Sequence, residues 1–294
     1  MIKVNSFQFI FVIFFSLNIN AQGLYPILSM PYSARSISLC SSGTTDSYYS
    51  ISNNPSSINS QFNIIGLHSI SLPLDISYNR IEAILPSKNK IIFIDIKNIN
   101  YGQFYDDLEN STFTANETDI KFGLKKSFFN TFSGGLSIEY IYSSISDYIS
   151  QGIVLSIGVR AETLDSQNGI SASVENNGII FDYYNKSFEK IDNIYRISGF
   201  HKLKYLPSQI NVNMIYDSYN LSWGSISFES KVKSILMLRS GIGSILLNRK
   251  QHFSNFDYSF GFGIIYEKYI IDFGVKNIND IGLISGISMH YIIP

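Results

Sequence analysis

From about residue 62 to the C-terminus the chain alternates apolar and polar residues with a period of two. That spacing marks β-strands whose two faces meet different surroundings. Tyr258, Phe260, Phe262, Ile264 and Tyr266 share one face, while Asp257, Ser259, Gly261, Gly263 and Glu267 share the other, with Ile265 as an apolar intruder. Leu136, Ile138, Tyr140 and Tyr142 oppose Ser137 and Glu139, and Ile153, Leu155, Ile157 and Val159 oppose Ser156, Gly158 and Arg160. The pattern predicts fourteen strands, at 62–71, 74–85, 90–103, 117–128, 132–146, 149–161, 167–181, 193–206, 208–218, 220–231, 234–247, 257–267, 269–277 and 281–293. Turn-rich pieces such as Ser87–Lys90, Asn130–Thr131 and Asn277–Asp280 join them. Near Arg80 the apolar phase slips from even to odd positions, which predicts a β-bulge. Ile197 to Tyr205 alternates poorly. No helix with an apolar stripe is evident.

The polar face of these strands is mostly Gly, Ser and Asn, whereas the outside of a soluble sandwich is usually rich in Lys, Glu and Thr. The apolar face is long, aliphatic and aromatic, with Tyr near strand ends. These features predict an all-β chain forming a single closed antiparallel transmembrane β-barrel of about fourteen strands, because closure alone pairs every backbone group in lipid. A charge facing lipid costs about 2–4 kcal/mol at the midplane. Asp119, Lys121, Glu139, Arg160, Glu175, Arg239, Asp257, Glu267, Asp272 and Lys276 are therefore expected to point into the lumen and pair there, or to line a polar conduit. Residues 41–60 are rich in Ser, Thr and Asn and fit a loop or short plug inside so wide a barrel. A soluble secreted β-protein is the alternative fold reading.

Composition narrows the function. Charged residues are 15% of the chain against roughly 25% in ordinary soluble domains, and the formal net charge is -1. Neither a nucleic-acid surface nor an acidic disordered chain fits that balance. Cys40 is the single cysteine, so no internal disulfide framework or cysteine metal cage can form. Lys3 followed by the apolar run Phe7–Leu17 reads as a signal peptide ending near Ala21. The organisation is then a leader (1–21), an N-terminal periplasmic or plug segment (22–61) and an outer-membrane barrel (62–294). His68, His201, His252 and His290 show no metal-ligand spacing in sequence and read as turn or lumen residues. Gly261 and Gly263 thin the barrel wall rather than cradle a phosphate. No catalytic residue, cofactor or metal is expected, and the protein does not read as an enzyme.

Several local motifs occur in a telling order. They are Ala34-Arg35 ahead of Leu39, then Asp46, Asn54-Pro55, Tyr101-Gly102-x-Phe104, Phe113-Thr114-Ala115, Tyr142-Ser143-Ser144-Ile145-Ser146-Asp147-Tyr148 and Asn177-Gly178. This order resembles the PorV/PorQ group of Bacteroidota outer-membrane proteins, relatives of the FadL-type barrels, and the short chain favours the PorQ branch. Cys40-Ser41 stand where that group has a Gly pair, and Asn177-Gly178 resembles a turn of that branch. The resemblance implies a component of the type IX secretion system attachment machinery, anchoring a PorZ-like surface partner alongside PorU-like and PorV-like proteins. The alternative is a FadL-like transporter of hydrophobic molecules.

Overall fold

The computed structural model describes residues 25–294 apart from 107–110, 185–190, 218–221, 246–255, 279–281 and 294. The proposed leader, His252 and part of the Asn277–Asp280 turn lie outside the described residues.

A 3₁₀ turn (Pro26–Ser29) and a short helix α1 (Ala34–Ser38) precede fourteen strands. These are β1 (Asn63–Ser71), β2 (Ser77–Ser87), β3 (Lys90–Asp106), β4 (Ser111–Phe129), β5 (Phe132–Ile145), β6 (Tyr148–Glu162) and β7 (Asn168–Asp182). There follow β8 (Ile194–Lys202), β9 (Ser208–Asp217), β10 (Ser222–Val232), β11 (Leu236–Ile245), β12 (Phe256–Tyr266), β13 (Tyr269–Ile278) and β14 (Gly282–Ile293). Each strand pairs antiparallel with its sequence neighbours, and β14 returns to β1 with Ile293 opposite Asn63, closing the barrel. No β-edge is left unpaired, as a wall in contact with hydrocarbon requires.

Which face points where follows from burial. Leu67, Ile81, Ile138, Met214, Phe260 and Ile287 lie on the exposed exterior, Phe260 at 60% exposure. Arg80, Lys97, Asp119, Lys121 and Asp272 are sealed inside, Arg80 at 1%. A soluble protein does the reverse. The alternation is therefore an inverted one, with apolar residues on the wall and charge in the centre.

Residues 25–60 fill that centre as a plug. Their path starts at the end carrying the β1–β2, β5–β6 and β13–β14 connections, where Tyr25 Oη and Ser150 Oγ lie 2.7 Å apart and Ile27 N donates to Glu117 Oε2 at 3.0 Å. It finishes at the end with short hairpins and both barrel termini, where Lys125 Nζ donates to Ile58 O at 2.5 Å. Within the plug Ser33 caps α1 by accepting from Ser36 N, and Ser47 forms a parallel bridge with Ile58. Cys40 (φ 49) and Ser41 (φ 62) follow α1 in the left-handed region, the conformation that a Gly pair would adopt without strain.

Three expectations need correction. The phase slip at Arg80 is not a bulge, since β1 and β2 pair without interruption from Ile64–Ile84 to Ser71–Ser77. Tyr78 instead turns inward, on the same face as Arg80 and Glu82, and joins the apolar cluster that holds Tyr25 and Ile27 of the plug, and Leu74 belongs to the turn (φ 63). Register shifts occur elsewhere, between Asn100 and Gln103 where Gly102 has φ +84, between Ser127 and Phe129, and twice along β6–β7. Asn177-Gly178 lies beside one of these, inside β7, and is not a turn: Asn176 takes φ 62 and leaves Gly178 too close to Ile153 O for a side chain. Glu267 is exposed in the β12–β13 hairpin with φ 51, outside the lumen, because the apolar phase ends at Tyr266 one residue earlier.

Candidate functional site

The lumen is held by charge networks that cross from wall to plug. From β3 to β5 opposite charges face each other directly, Lys97 with Asp119 and Lys121 with both Asp95 and Glu139, whereas β2–β3 sets Arg80 opposite Lys97 and Glu82 opposite Asp95, so Arg80 reaches Asp95 diagonally. Arg80 Nε donates to Asp95 Oδ1 and Nη2 to Glu82 Oε2, both at 2.6 Å. Lys97 Nζ meets Asp119 at 3.0 Å and Glu139 at 3.2 Å, and Lys121 pairs with Glu139 at 2.8 Å. Tyr32 of the plug sits at the centre of these cations. Arg80, Lys97 and Lys121 stand 4.7, 4.8 and 4.9 Å from its ring centroid. Its hydroxyl accepts from Lys121 Nζ at 2.7 Å, and its carbonyl accepts from Arg80 Nη1. Burial raises the Tyr32 phenol pKa more than the two lysines lower it, so the ring stays neutral.

A second network joins the plug to β10, β11 and β13. Arg35 donates to Glu229 from Nε (3.1 Å) and Nη2 (2.6 Å), a two-pronged pairing. Arg239 donates to Glu229 (2.8 Å), to Asp272 (2.6 Å) and to the hydroxyl of Tyr49 (2.6 Å). Burial on its own would lower the Arg35 pKa; the Glu229 carboxylate outweighs it and holds the guanidinium above its usual value. Smaller links are Arg160 to Thr45 O and Asp46, Lys202 to Asp46, Arg196 to Glu175, and Lys276 to Asp257. Of the charges expected in the lumen, Asp119, Lys121, Glu139, Arg160, Glu175, Arg239, Asp257, Asp272 and Lys276 all join these networks. Arg80, Glu82, Asp95, Lys97, Arg196 and Glu229 complete them and were missed. For Arg80 with Glu82 and for Asp95 with Lys97 the signal that could have found them is the i, i+2 spacing of charges on one strand phase, concealed on β2 by the slip at Arg80; Arg196 carries no such signal.

His68 and His290, far apart in sequence, meet at Glu82. Their Nε2 atoms lie 3.0 and 3.2 Å from Glu82 Oε1, and the trio could offer three ligand atoms within 4.8 Å of one another. Glu82 Oε2, however, already accepts from Arg80 Nη2 and from Ile51 N (2.7 Å), so a dication here would face a guanidinium. The arrangement works as a tie between plug and wall. His201 lies exposed beside Asn168 instead.

The motif residues divide by position. Ala34, Arg35, Asp46, Asn54 and Pro55 are plug residues pressed against the wall. Glycines make room for them: a Cβ on Gly274 would strike Ala34 O, one on Gly261 Ser38, one on Gly158 Asn54, and one on Gly135 the backbone at Pro55. Tyr101 Oη donates to Glu117 Oε1 at 2.9 Å, Gly102 makes the β3 bulge, and Phe104 stacks on Phe113 at 5.3 Å. Ser143 faces inward and accepts from Tyr184 Oη, whereas Asp147 and Tyr148 are exposed at the β5–β6 turn and Ser144 is half-buried. These two groups do not converge on one site.

Apolar residues occupy the lumen toward both mouths. Near the longer connections Tyr25, Ile27, Leu28 and Ile37 of the plug pack with Ile70, Tyr78, Ile99, Ile141, Val154, Ile180 and Ile284 of the wall. Near the short hairpins Ile51 and Ile58 of the plug pack with Ile64, Ile84, Phe93 and Ile270. A water-filled pore would not need either.

An apolar exterior, a closed wall and a charge-locked plug define a plugged outer-membrane β-barrel. Solved structures of this shape exist. The chain is similar to the Pseudomonas putida toluene transporter TodX, with 10% identity, a TM-score of 0.64, and 89% of this chain and 98% of that one covered. It is likewise similar to a Pseudomonas aeruginosa FadL homologue, with 9% identity, a TM-score of 0.60, and 89% and 98% covered. No family model matches the sequence, and no curated protein matches it.

Proposed function

We propose that the barrel carries small hydrophobic molecules across the outer membrane, the plug moving to let them by. The observation that carries this reading is the pair of apolar patches inside a lumen otherwise lined by ion pairs, one toward each mouth of the barrel. Apolar side chains that face the plug and not lipid supply a surface on which an apolar solute can exchange for plug contacts. Likeness in fold to a toluene transporter supports the same reading. Because the lumen charges are almost all paired with one another or with the plug, they do not bar such a solute. Proteoliposomes containing the protein should take up toluene faster than protein-free vesicles while excluding glucose, and Ile141→Asp with Val154→Asp should abolish the difference. Equal toluene entry with and without the protein would end the proposal.

The competing reading is an anchor for PorZ-like, PorU-like and PorV-like partners in a type IX attachment complex. It rests on motif order alone, and Ala34, Arg35, Asp46, Asn54 and Pro55 of those motifs are engaged in docking the plug. Isolation of the tagged protein in mild detergent distinguishes the two. Co-purified surface-anchoring partners would favour the anchor, and a barrel recovered alone would favour transport.

A further inference from the structure

The near-zero net charge hides an uneven distribution between the two ends. Among the described residues, the exposed lysines belong to the short-hairpin end: Lys88 and Lys90 at β2–β3, Lys126 at β4–β5, Lys204 at β8–β9, Lys231 and Lys233 at β10–β11, and Lys268 at β12–β13. Asp165 and Glu267 are the exposed acids there. The opposite end exposes Asp75, Asp147 and Asp182 and, among the described residues, no lysine or arginine. Hairpins spaced around the whole rim thus carry a basic collar.

One place on that rim is hollow. A cavity of about 380 Å³ opens between the β2–β3 and β4–β5 hairpins, lined by Lys88, Lys125 and Arg160 with the amides of Asn59, Asn89 and Asn130. Glu162 is its one carboxylate, and Arg160 neutralises it at 2.7 Å. Lys125 uses one ammonium proton on Ile58 O and keeps two. Phe128, Phe129 and Phe132 form the other wall, Phe129 at 74% exposure and Phe132 on the lipid-facing phase of β5.

We propose that this rim is a docking collar for anionic phospholipid and that the cavity seats one phosphodiester headgroup. Three features favour a lipid over a soluble anion or an acidic protein. The cations lie at the depth where headgroups surround a barrel; the cavity opens beside aromatic rings that an acyl chain can cover; and nearly every hairpin of the rim contributes. Short hairpins face the periplasm in barrels of this class, which puts the collar in the inner leaflet.

The test is native mass spectrometry of the full-length protein, titrated with phosphatidylglycerol and with phosphatidylcholine of the same acyl chains. Phosphatidylglycerol should be retained at least tenfold more strongly, and Lys88→Glu should remove most of that preference while the heat-dependent gel mobility of the folded barrel is kept. Lys231→Gln with Lys233→Gln, on the collar but away from the cavity, should leave the tightest-bound lipid in place. Equal retention of the two lipids would overturn the proposal, as would an unchanged preference in Lys88→Glu. Full displacement of the lipid by millimolar inorganic phosphate would instead assign the cavity to a free anion and overturn the lipid reading.

Discussion

Replacing Gly158 by Ala tests how the plug is held. A methyl group at this position would overlap Asn54 Oδ1 and stand 2.7 Å from its Cγ, so Asn54 must leave its seat. Asn54 is 1% exposed; its Oδ1 accepts from Ser56 N (2.9 Å) and Ser56 Oγ (2.7 Å), and its Nδ2 donates to Ala172 O (3.3 Å). Each such bond contributes about 1 kcal/mol net, and forced overpacking costs about 1–3 kcal/mol. Together these amount to about 4–6 kcal/mol, and they fall on the plug, because the backbone pairing of Gly158 with Gly135 and Ser173 needs no change. The plug should therefore loosen inside an intact barrel. Planar-bilayer recording should show larger and more frequent conductance steps than the parent protein, with gel mobility still heat-dependent. Ile157→Ala, one residue away on the lipid face, should leave conductance as it was. Unchanged conductance and unchanged protease resistance of residues 25–60 in Gly158→Ala would refute the claim that wall glycines seat the plug.

Other consequences follow from the same contacts. Glu82→Gln removes the charge shared by Arg80, His68, His290 and Ile51 N, and should lower stability by about 3–5 kcal/mol, read as a lower denaturation midpoint in guanidinium. Burial pushes the Cys40 thiol up to about 11, so at pH 8 only about one thiol in a thousand is ionised; maleimide should label the protein after denaturation and not before. Glu267→Ala, at an exposed hairpin, should change stability by no more than about 0.5 kcal/mol, whereas a lumen position would have cost several times that.

The wall was legible in the sequence because a strand between lipid and lumen must alternate, and β5, β6, β12 and β13 do so almost without fault. Legibility failed where the plug intrudes. Tyr78, Ile84, Phe93, Ile141 and Ile270 face inward yet are apolar, since their partners are plug side chains and not water, so two apolar phases overlap and imitate a bulge. The plug itself gave a compositional signal at 41–60, but its first half, Tyr25 to Leu39, has no periodicity to betray it. The meeting of His68, Glu82 and His290 depends on β14 closing against β1, a pairing 222 residues apart between His68 and His290 that no local pattern encodes. Glu267 shows the opposite failure: it continued the polar phase one residue past the strand end.

Nitroxide accessibility along β5 tests the inverted arrangement most directly. Single cysteines placed at each position from 136 to 141, spin-labelled in reconstituted bilayers, should collide with oxygen at Leu136, Ile138 and Tyr140 and be shielded from it at Ser137, Glu139 and Ile141. The opposite phase, or accessibility without a period of two, would contradict the account.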